Sequence, residues 1–172
     1  ALSLFERSEK FSEESGVKRE YFLLVSRLTQ SKKIDAVVDA FNKLGLPLVI
    51  GGNGPEAERL QKRAGKHIRF TGFVDDNELT RLYSGARALI FPSEEDFGMV
   101  AVEALSFGVP VIALEYGGIR EIVRSGETGE FFHSNAPEII AEGVRRFLEK
   151  EGTYSVDSMK ASVAHFTKES FQ

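Results

Sequence analysis

Short apolar runs alternate with longer amphipathic segments along the 172 residues of this chain. The runs lack the apolar–polar alternation of a half-exposed strand, so they predict strands that are covered on both faces. These strands are expected at residues 21–26, 48–51, 68–71, 88–91, 111–114 and 129–132. The amphipathic segments predict helices at residues 34–44, 56–64, 77–86, 100–107, 119–123, 137–149 and 155–166, the last at the edge of the domain. Such alternation predicts one α/β domain, residues 1–172, built on a doubly wound parallel sheet.

Individual residues mark two of the helix starts. Asp75 or Asp76 is suited to cap the helix near residue 77, because a carboxylate there accepts from free backbone N–H groups. Pro137 fits the first position of the sixth helix, where its missing N–H costs nothing.

Composition excludes several classes of function. The chain has 22 Lys and Arg against 26 Asp and Glu, so it lacks the basic surplus that phosphate neutralisation on nucleic acid requires. Cysteine is absent, which excludes disulfides and thiolate zinc sites and suits a reducing, cytoplasmic location. His67, His133 and His165 have no partners at metal-ligand spacing, so no metal is expected. No apolar run has the length of a membrane span.

Ligands of such sheets bind beyond the carboxyl ends of the strands, so the loops there are the candidate sites. Arg27 and Lys32 follow the first strand, and a planar guanidinium beside an ammonium suits a diphosphate. The alternative is that both are solvated charges ahead of a helix. Gly52 and Gly54 follow the second strand without the third glycine of a dinucleotide fingerprint, so they indicate a tight turn or a close backbone approach to a ligand.

The loop after the fourth strand carries the strongest signal. Gly98 lies at a predicted helix start, where free N–H groups bind anions. Glu95 and Asp96 are suited to accept from hydroxyls, or else to cap the helix. Glu103 lies one to two turns into the helix, within reach of a ribose, and its apolar neighbours argue against a plain exposed position. The Gly117–Gly118 turn is either a turn only or a second helix start that faces an anion.

Six segments in order resemble the donor-binding lobe of the retaining glycosyltransferases of family four, which are two-lobed GT-B enzymes with Rossmann-like lobes. They are VSRLTQSKKID, IGGNGPE, FTGFVDDNEL, FPSEEDFGMVAVEAL, GVPVIALEYGGIREIV and SGETGEFF, and they cover roughly residues 21–132. The EEDFG form is most similar to mannosyltransferases of polysaccharide and lipopolysaccharide assembly.

The resemblance implies a role for each matching position. Arg27 and Lys32 would grip the donor diphosphate and Glu95 the hydroxyls of the transferred sugar, which makes these three the catalytic candidates. Glu103 would hold the ribose. The remaining donor-binding positions are backbone contacts near the sugar, the phosphates and the base: Gly52, Gly54, Phe73, Val74, Phe97, Gly98, Met99 and Val100.

The same resemblance implies a nucleoside diphosphate sugar as donor, with GDP-mannose favoured, and no cofactor. The acceptor-binding N-terminal lobe of the family is missing, so we expect an excised domain rather than a stand-alone lobe, inactive by itself. The acceptor is expected to be a glycan or lipid-linked glycan, with peripheral membrane association of the longer enzyme at the cytoplasmic face. The alternatives are a GT-B sugar-nucleotide epimerase and a non-catalytic nucleotide-sugar binding module.

Overall fold

A sheet of six strands forms the centre of the structure, a computed structural model that describes residues 18–94 and 98–170. The strands are β1 (Tyr21–Val25), β2 (Leu48–Gly51), β3 (Ile68–Gly72), β4 (Ala86–Phe91), β5 (Val111–Leu114) and β6 (Gly129–Phe132). All six predicted strands are confirmed. Strand β4 begins two residues earlier than predicted, because Ala86 already pairs with Tyr21 of β1.

The strands follow the order β3-β2-β1-β4-β5-β6, and every neighbouring pair is parallel. Four of these pairs join strands that are consecutive in the chain, and the pair β1–β4 does not. The order therefore reverses at β1 and β4, which confirms the predicted doubly wound sheet.

Seven α-helices connect or flank the strands in the described ranges. They are α1 (Ile34–Leu44), α2 (Ala57–Arg63), α3 (Asp76–Gly85), α4 (Met99–Ser106), α5 (Ile119–Ile122), α6 (Pro137–Lys150) and α7 (Val156–Ser170). Two short 3-10 turns, Gln30–Lys32 and Glu151–Thr153, precede α1 and α7. All seven predicted helices are present, and α7 ends four residues later than predicted.

Hydrophobic side chains fill a layer on each face of the sheet, as expected for strands without polar alternation. Phe22 and Leu24 of β1 pack with buried side chains of α1, α2 and α6. Leu23, between them, packs on the other face with side chains of α3, α4, α5 and α7. Two of the helices on the face that Leu23 occupies, α3 and α4, carry residues of the site described below.

Local chemistry explains where several helices begin and end. The side chain of Asp75 accepts a hydrogen bond from the Glu78 backbone N–H at 2.8 Å and caps α3, as predicted. Pro137 is the first residue of α6, also as predicted. Helix α1 ends at Leu44 and is followed by Gly45, whose φ of 67° lies in the left-handed region that glycine adopts without a Cβ clash.

Helix α7, which we expected at the edge of the domain, packs against α4. Its Met159 and Val163 are buried in the same core layer as α4. None of the helices described is both long and apolar enough to cross a lipid bilayer.

Candidate functional site

A cleft lies where the strand order reverses, at the carboxyl ends of β1 and β4. Its volume is about 170 Å³. Residues from β1, β4 and the segments that follow them line it: Leu24, Val25, Ser26, Arg27, Lys32, Ile90, Phe91, Pro92, Ser93 and Val100. Loops that follow adjacent strands diverge at a switch point and leave a crevice there, which is the usual ligand site of an open α/β sheet.

Arg27 and Lys32 both line this cleft, as the sequence predicted. Arg27 is exposed, and its guanidinium makes no hydrogen bond or ion pair within residues 18–94 and 98–170. Lys32 is half-buried at the end of the short 3-10 turn. The next residue, Lys33, adopts the left-handed conformation with φ 60°, which L side chains rarely do. Two cations thus flank a cleft large enough for part of a phosphorylated ligand.

Gly52 and Gly54 bring the loop after β2 against the loop that carries Arg27. Gly52 has φ 130°, and a Cβ there would lie 1.9 Å from the Ser26 carbonyl oxygen. A Cβ on Gly54 would lie 2.5 Å from the Leu28 carbonyl oxygen. The Leu28 N–H also donates to the Asn53 carbonyl at 3.0 Å. The structure therefore gives both glycines a packing role beside the cleft, and their predicted contact with the donor stays a prediction.

Helix α4 begins at the cleft. Gly98 is its N-cap residue, and no side chain within residues 18–94 and 98–170 caps the helix. Met99 is exposed, and Val100 lines the cleft. A Cβ on Gly98 would lie 3.0 Å from the Phe91 ring, so the chain enters the helix close to the end of β4. Free N–H groups at such a start can receive anionic oxygens.

Three predicted residues of the same loop, Glu95, Asp96 and Phe97, lie outside the described residues. The predicted sugar contact of Glu95 and the backbone contact of Phe97 therefore stay predictions.

Glu103 lies one turn after Val100, so both face the same side of α4. The buried Tyr83 hydroxyl donates a hydrogen bond to Glu103 Oε2 at 3.0 Å. Burial raises the pKa of the Glu103 carboxyl above its usual range, the hydrogen bond from Tyr83 opposes this, and the nearby charge of Asp76 adds to it. Glu103 is thus a half-buried carboxylate with a fixed donor on one oxygen, and not a plain exposed helix position.

The loop between β3 and α3 presents Phe73, whose side chain is 77% exposed. Val74 is half-buried and packs against the core layer that contains α4. An exposed phenyl ring at the carboxyl edge of the sheet is available to a planar ligand group. The side chain of Asp75, which follows Val74, accepts from the Glu78 N–H and is occupied by the helix cap.

The turn after β5 has no free helix start of useful length, because α5 has only four residues. The Glu115 carboxylate lies there instead, 3.1 Å from His133 Nδ1 and 3.7 Å from Arg120 Nε. The structure therefore favours the plain-turn interpretation of Gly117–Gly118.

Two residues were missed by sequence reasoning. Ser93 is 7% exposed and lines the cleft, and its place directly after β4 was a signal that could have identified it. Tyr83 was missed because an aromatic residue in an amphipathic helix is typical of a core position. Its contact with Glu103 joins two helices, which no local pattern reveals.

A larger hollow of about 600 Å³ lies beside β6, between the segment that precedes this strand and α7. It is lined by Arg124, Gly126, Glu127, Thr128, Thr153, Ser155, Ser158, Ala161, Ser162 and His165. Arg124 there lies 3.9 Å from the Glu127 carboxylate, so the charge of this arginine is opposed by a neighbouring acid. In the described ranges no three His, Asp or Glu side chains come together as a metal site would require.

The chain matches the family described as "Glycosyl transferases group 1" over residues 5–162. It is 35% identical over 153 residues to an uncharacterized glycosyltransferase of Methanocaldococcus jannaschii, which covers 82% of this chain and 39% of that protein. It is 36% identical over 138 residues to a glycogen synthase of Mycobacterium tuberculosis, which covers 74% of this chain and 33% of that protein. The chain thus spans between a third and two fifths of the length of these two relatives.

Solved structures share the fold. The C-terminal domain of a glycosyl transferase group 1 family protein from Francisella tularensis superposes with a TM-score of 0.73 at 21% identity, covering all of this chain and 95% of that one. HepE of Anabaena in complex with UDP-glucose superposes with a TM-score of 0.73 at 21% identity, covering 94% of this chain and 48% of that one. The family match extends over most of the chain and agrees with the switch-point cleft and the resemblance of the motifs. This chain belongs to the glycosyl transferases group 1 family and has the α/β, Rossmann-like fold of GT-B glycosyltransferases.

Proposed function

We propose that this chain is the donor-binding lobe of a retaining glycosyltransferase and holds a nucleoside diphosphate sugar in the cleft between β1 and β4. The observation that carries the proposal is that Arg27, Lys32 and the start of α4 converge on that cleft. The superposition covers 95% of a C-terminal domain of the same family but the chain covers only 39% of a longer relative, which supports a lobe of a longer enzyme.

In this mechanism the two cations and the N–H groups at the start of α4 offset the charge that develops on the leaving diphosphate. Groups held in place before the reaction stabilise such charge without reorganisation. Glu95 orients the hydroxyls of the transferred sugar, and the anomeric configuration is retained. The mechanism includes no metal and no cofactor.

The nucleoside extends from the diphosphate toward α3. Glu103 accepts from the ribose hydroxyls, and Phe73 with Val74 contacts the base. The half-buried Glu103 and the exposed Phe73 ring support this direction, because they offer a hydrogen-bond acceptor and a flat apolar surface.

The acceptor is a glycan or lipid-linked glycan bound by an N-terminal lobe. Transfer requires the acceptor oxygen to be held against the anomeric carbon, and that wall of the cleft comes from the second lobe. We therefore expect this chain to bind donors but to transfer no sugar by itself. The longer enzyme is proposed to work in the cytoplasm or at the cytoplasmic face of a membrane.

For the donor, two observations favour different sugars. The EEDFG form favours GDP-mannose by resemblance to mannosyltransferases. The similarity to a structure in complex with UDP-glucose favours a uridine donor. We propose a nucleoside diphosphate hexose, with GDP-mannose first and UDP-glucose second.

Two measurements test the proposal. Calorimetric titration with GDP and with UDP should show binding of at least one of them to the folded chain, and no binding of either would refute it. A thermal-shift comparison of GDP-mannose, UDP-glucose and UDP-N-acetylglucosamine at equal concentration should give the largest rise in Tm for the true donor. A larger rise with a uridine donor would overturn GDP-mannose and leave donor binding intact.

A further inference from the structure

Tyr83 is a fully buried tyrosine on α3, in the core layer beneath the nucleoside side of the cleft. Its ring stacks on Phe107 with centroids 5.2 Å apart and an interplanar angle of 23°. Packing alone would be served equally by phenylalanine. A buried phenol hydroxyl needs a hydrogen-bond partner, and the choice of partner is therefore informative.

That partner is Glu103 on α4, at 3.0 Å from the hydroxyl to Oε2. The Val100 carbonyl oxygen lies farther away, at 3.4 Å. A hydroxyl has one hydrogen to donate, and a carboxylate is the stronger acceptor. Tyr83 thus fixes one oxygen of the Glu103 carboxylate. The other oxygen, Oε1, makes no hydrogen bond within the part of the chain that the structure describes.

We propose that Tyr83 is a positioning residue that holds Glu103 as an acceptor for the ribose hydroxyls of the donor. The inference deepens the proposed function and rests on it. A neutral donor suits this role, since it orients the carboxylate without cancelling the negative charge that attracts a hydroxyl proton. A Lys or Arg at the same place would compete with the ribose.

The position of Tyr83 on α3 adds a second element to this role. Helix α3 begins at Asp76, two residues after Val74 of the proposed base contact. Val74 and Leu82, the neighbour of Tyr83, both pack over Gly51 at the end of β2. One helix therefore carries the loop for the base at its start and the hydroxyl that orients the ribose acceptor in its last turns.

The test compares ribonucleotides with their dideoxy counterparts. UDP, GDP, 2′,3′-dideoxy-UDP and 2′,3′-dideoxy-GDP are titrated calorimetrically into the wild-type chain and the variants Tyr83→Phe, Glu103→Gln and Tyr21→Phe. Tyr21→Phe is the matched control, because its hydroxyl donates to the Leu82 carbonyl at 2.7 Å and does not touch Glu103. The quantity of interest is the ratio of ribonucleotide to dideoxynucleotide affinity.

We expect the ribose preference to fall by about three- to tenfold in Tyr83→Phe, the effect of a single hydrogen bond, with dideoxynucleotide affinity unchanged. Tyr21→Phe should keep the wild-type ratio. If Glu103→Gln loses the ribose preference while Tyr83→Phe keeps it, the positioning role of Tyr83 is overturned and the proposed ribose contact of Glu103 stands. If the wild-type chain binds the nucleotides with no ribose preference, the Glu103 assignment fails and this inference fails with it. No nucleotide binding at all refutes the proposed function.

A pH series separates positioning from a loss of packing. The groups that act on the Glu103 carboxyl in the described ranges are Tyr83 and Asp76, both on α3. The hydrogen bond from Tyr83 lowers the pKa of Glu103, so its removal should raise that pKa. As the pH is lowered, protonation of Glu103 removes the ribose preference. In Tyr83→Phe this loss should occur at a higher pH than in the wild type. An unchanged midpoint would contradict the positioning role.

Discussion

The two halves of the proposed donor cleft are built by opposite strategies. The phosphate half consists of Arg27, Lys32 and the start of α4, and the Arg27 guanidinium is exposed without a partner in the described ranges. The nucleoside half depends on Glu103, which is half-buried and hydrogen-bonded to the buried Tyr83. The Arg27 guanidinium is thus surrounded by solvent, whereas the Glu103 carboxylate is held in place by packing and by a hydrogen bond.

Electrostatics accounts for this difference. A buried cation without a partner costs several kcal/mol, so a positive charge that waits for an anionic ligand is best left in water. A carboxylate that recognises a neutral hydroxyl gains less from its ligand and needs a defined orientation instead. We therefore expect substitution of Arg27 to change binding alone, and substitution of Glu103 to change binding and stability together.

The largest effect should come from the backbone that supports the phosphate half. Gly52→Ala places a Cβ against the Ser26 carbonyl oxygen at φ 130°, so we expect unfolding free energy to fall by about 3 kcal/mol or more. Gly126→Ala is the control, because it has φ 80° with no atom within 4 Å of the Cβ and should cost only about 1 kcal/mol. Urea denaturation of both variants measures the difference, and equal losses would contradict the close approach.

Arg27→Ala should weaken nucleoside diphosphate binding by about tenfold or more, the effect of losing charge-assisted hydrogen bonds of 1.5–3 kcal/mol. Its unfolding free energy should stay within about 0.5 kcal/mol of wild type, because the side chain is exposed. Arg59→Ala removes another arginine, which is paired with Glu56 at 2.6 Å and does not line the cleft, and should leave binding unchanged. Calorimetry and urea denaturation provide the two readouts. If both variants lost binding, the change in net charge would explain the result, and a direct contact of Arg27 with the diphosphate would be contradicted.

Glu103→Gln should weaken nucleoside diphosphate binding by about three- to tenfold and raise stability at neutral pH. Burial raises the pKa of Glu103 in the folded chain, so the folded state binds more protons than the unfolded state and loses stability as pH rises through the range between the two values. Glutamine does not titrate. The stability gained by Glu103→Gln should therefore be present at a pH above both pKa values of Glu103 and vanish at a pH below both. Denaturation curves at pH 3 and pH 8 measure this.

The same substitution at Glu130 is the control for that gain. Glu130 is 3% exposed and its carboxylate pairs with Lys150 Nζ at 3.0 Å, so Glu130→Gln leaves a cation without its partner and should destabilise the chain. A loss of stability in both variants at pH 8 would contradict the unfavourable burial of Glu103.

The smallest effect is expected at Lys33, which adopts φ 60° beside the phosphate half. Lys33→Gly should raise unfolding free energy by up to about 1 kcal/mol, because glycine has no Cβ that conflicts with this conformation. Lys62→Gly, within α2, should instead lose about 1 kcal/mol of helix propensity. Thermal denaturation distinguishes them, and destabilisation by both would show that Lys33 is not strained.

The sequence allowed the fold to be predicted because each strand is a short apolar run and each helix has its own amphipathic repeat. Ligands of open α/β sheets bind beyond the carboxyl ends of the strands, and this rule was enough to predict that Arg27 and Lys32 line a ligand cleft. Asp75 and Pro137 could be assigned because caps depend on a few neighbouring residues.

Contacts between distant segments were not predictable in the same way. A glycine at position 52 indicates an unusual backbone conformation or a close contact. The sequence does not show that the Ser26 carbonyl oxygen is the atom that packs against Gly52. Tyr83 and Glu103 lie on different helices, and their hydrogen bond depends on how those helices pack. These contacts required the three-dimensional arrangement.

The pairing of β1 with β4 has a consequence for how the cleft is assembled during folding. The other four strand pairs join consecutive strands, whereas three helices and two strands lie in the chain between Tyr21 of β1 and its partner Ala86 of β4. Closing that long segment costs the most chain entropy, so β1–β3 and β4–β6 should form as units before they dock. The cleft lies on the seam between those units and is completed in the last step. A bound nucleotide should therefore slow unfolding far more than it accelerates refolding.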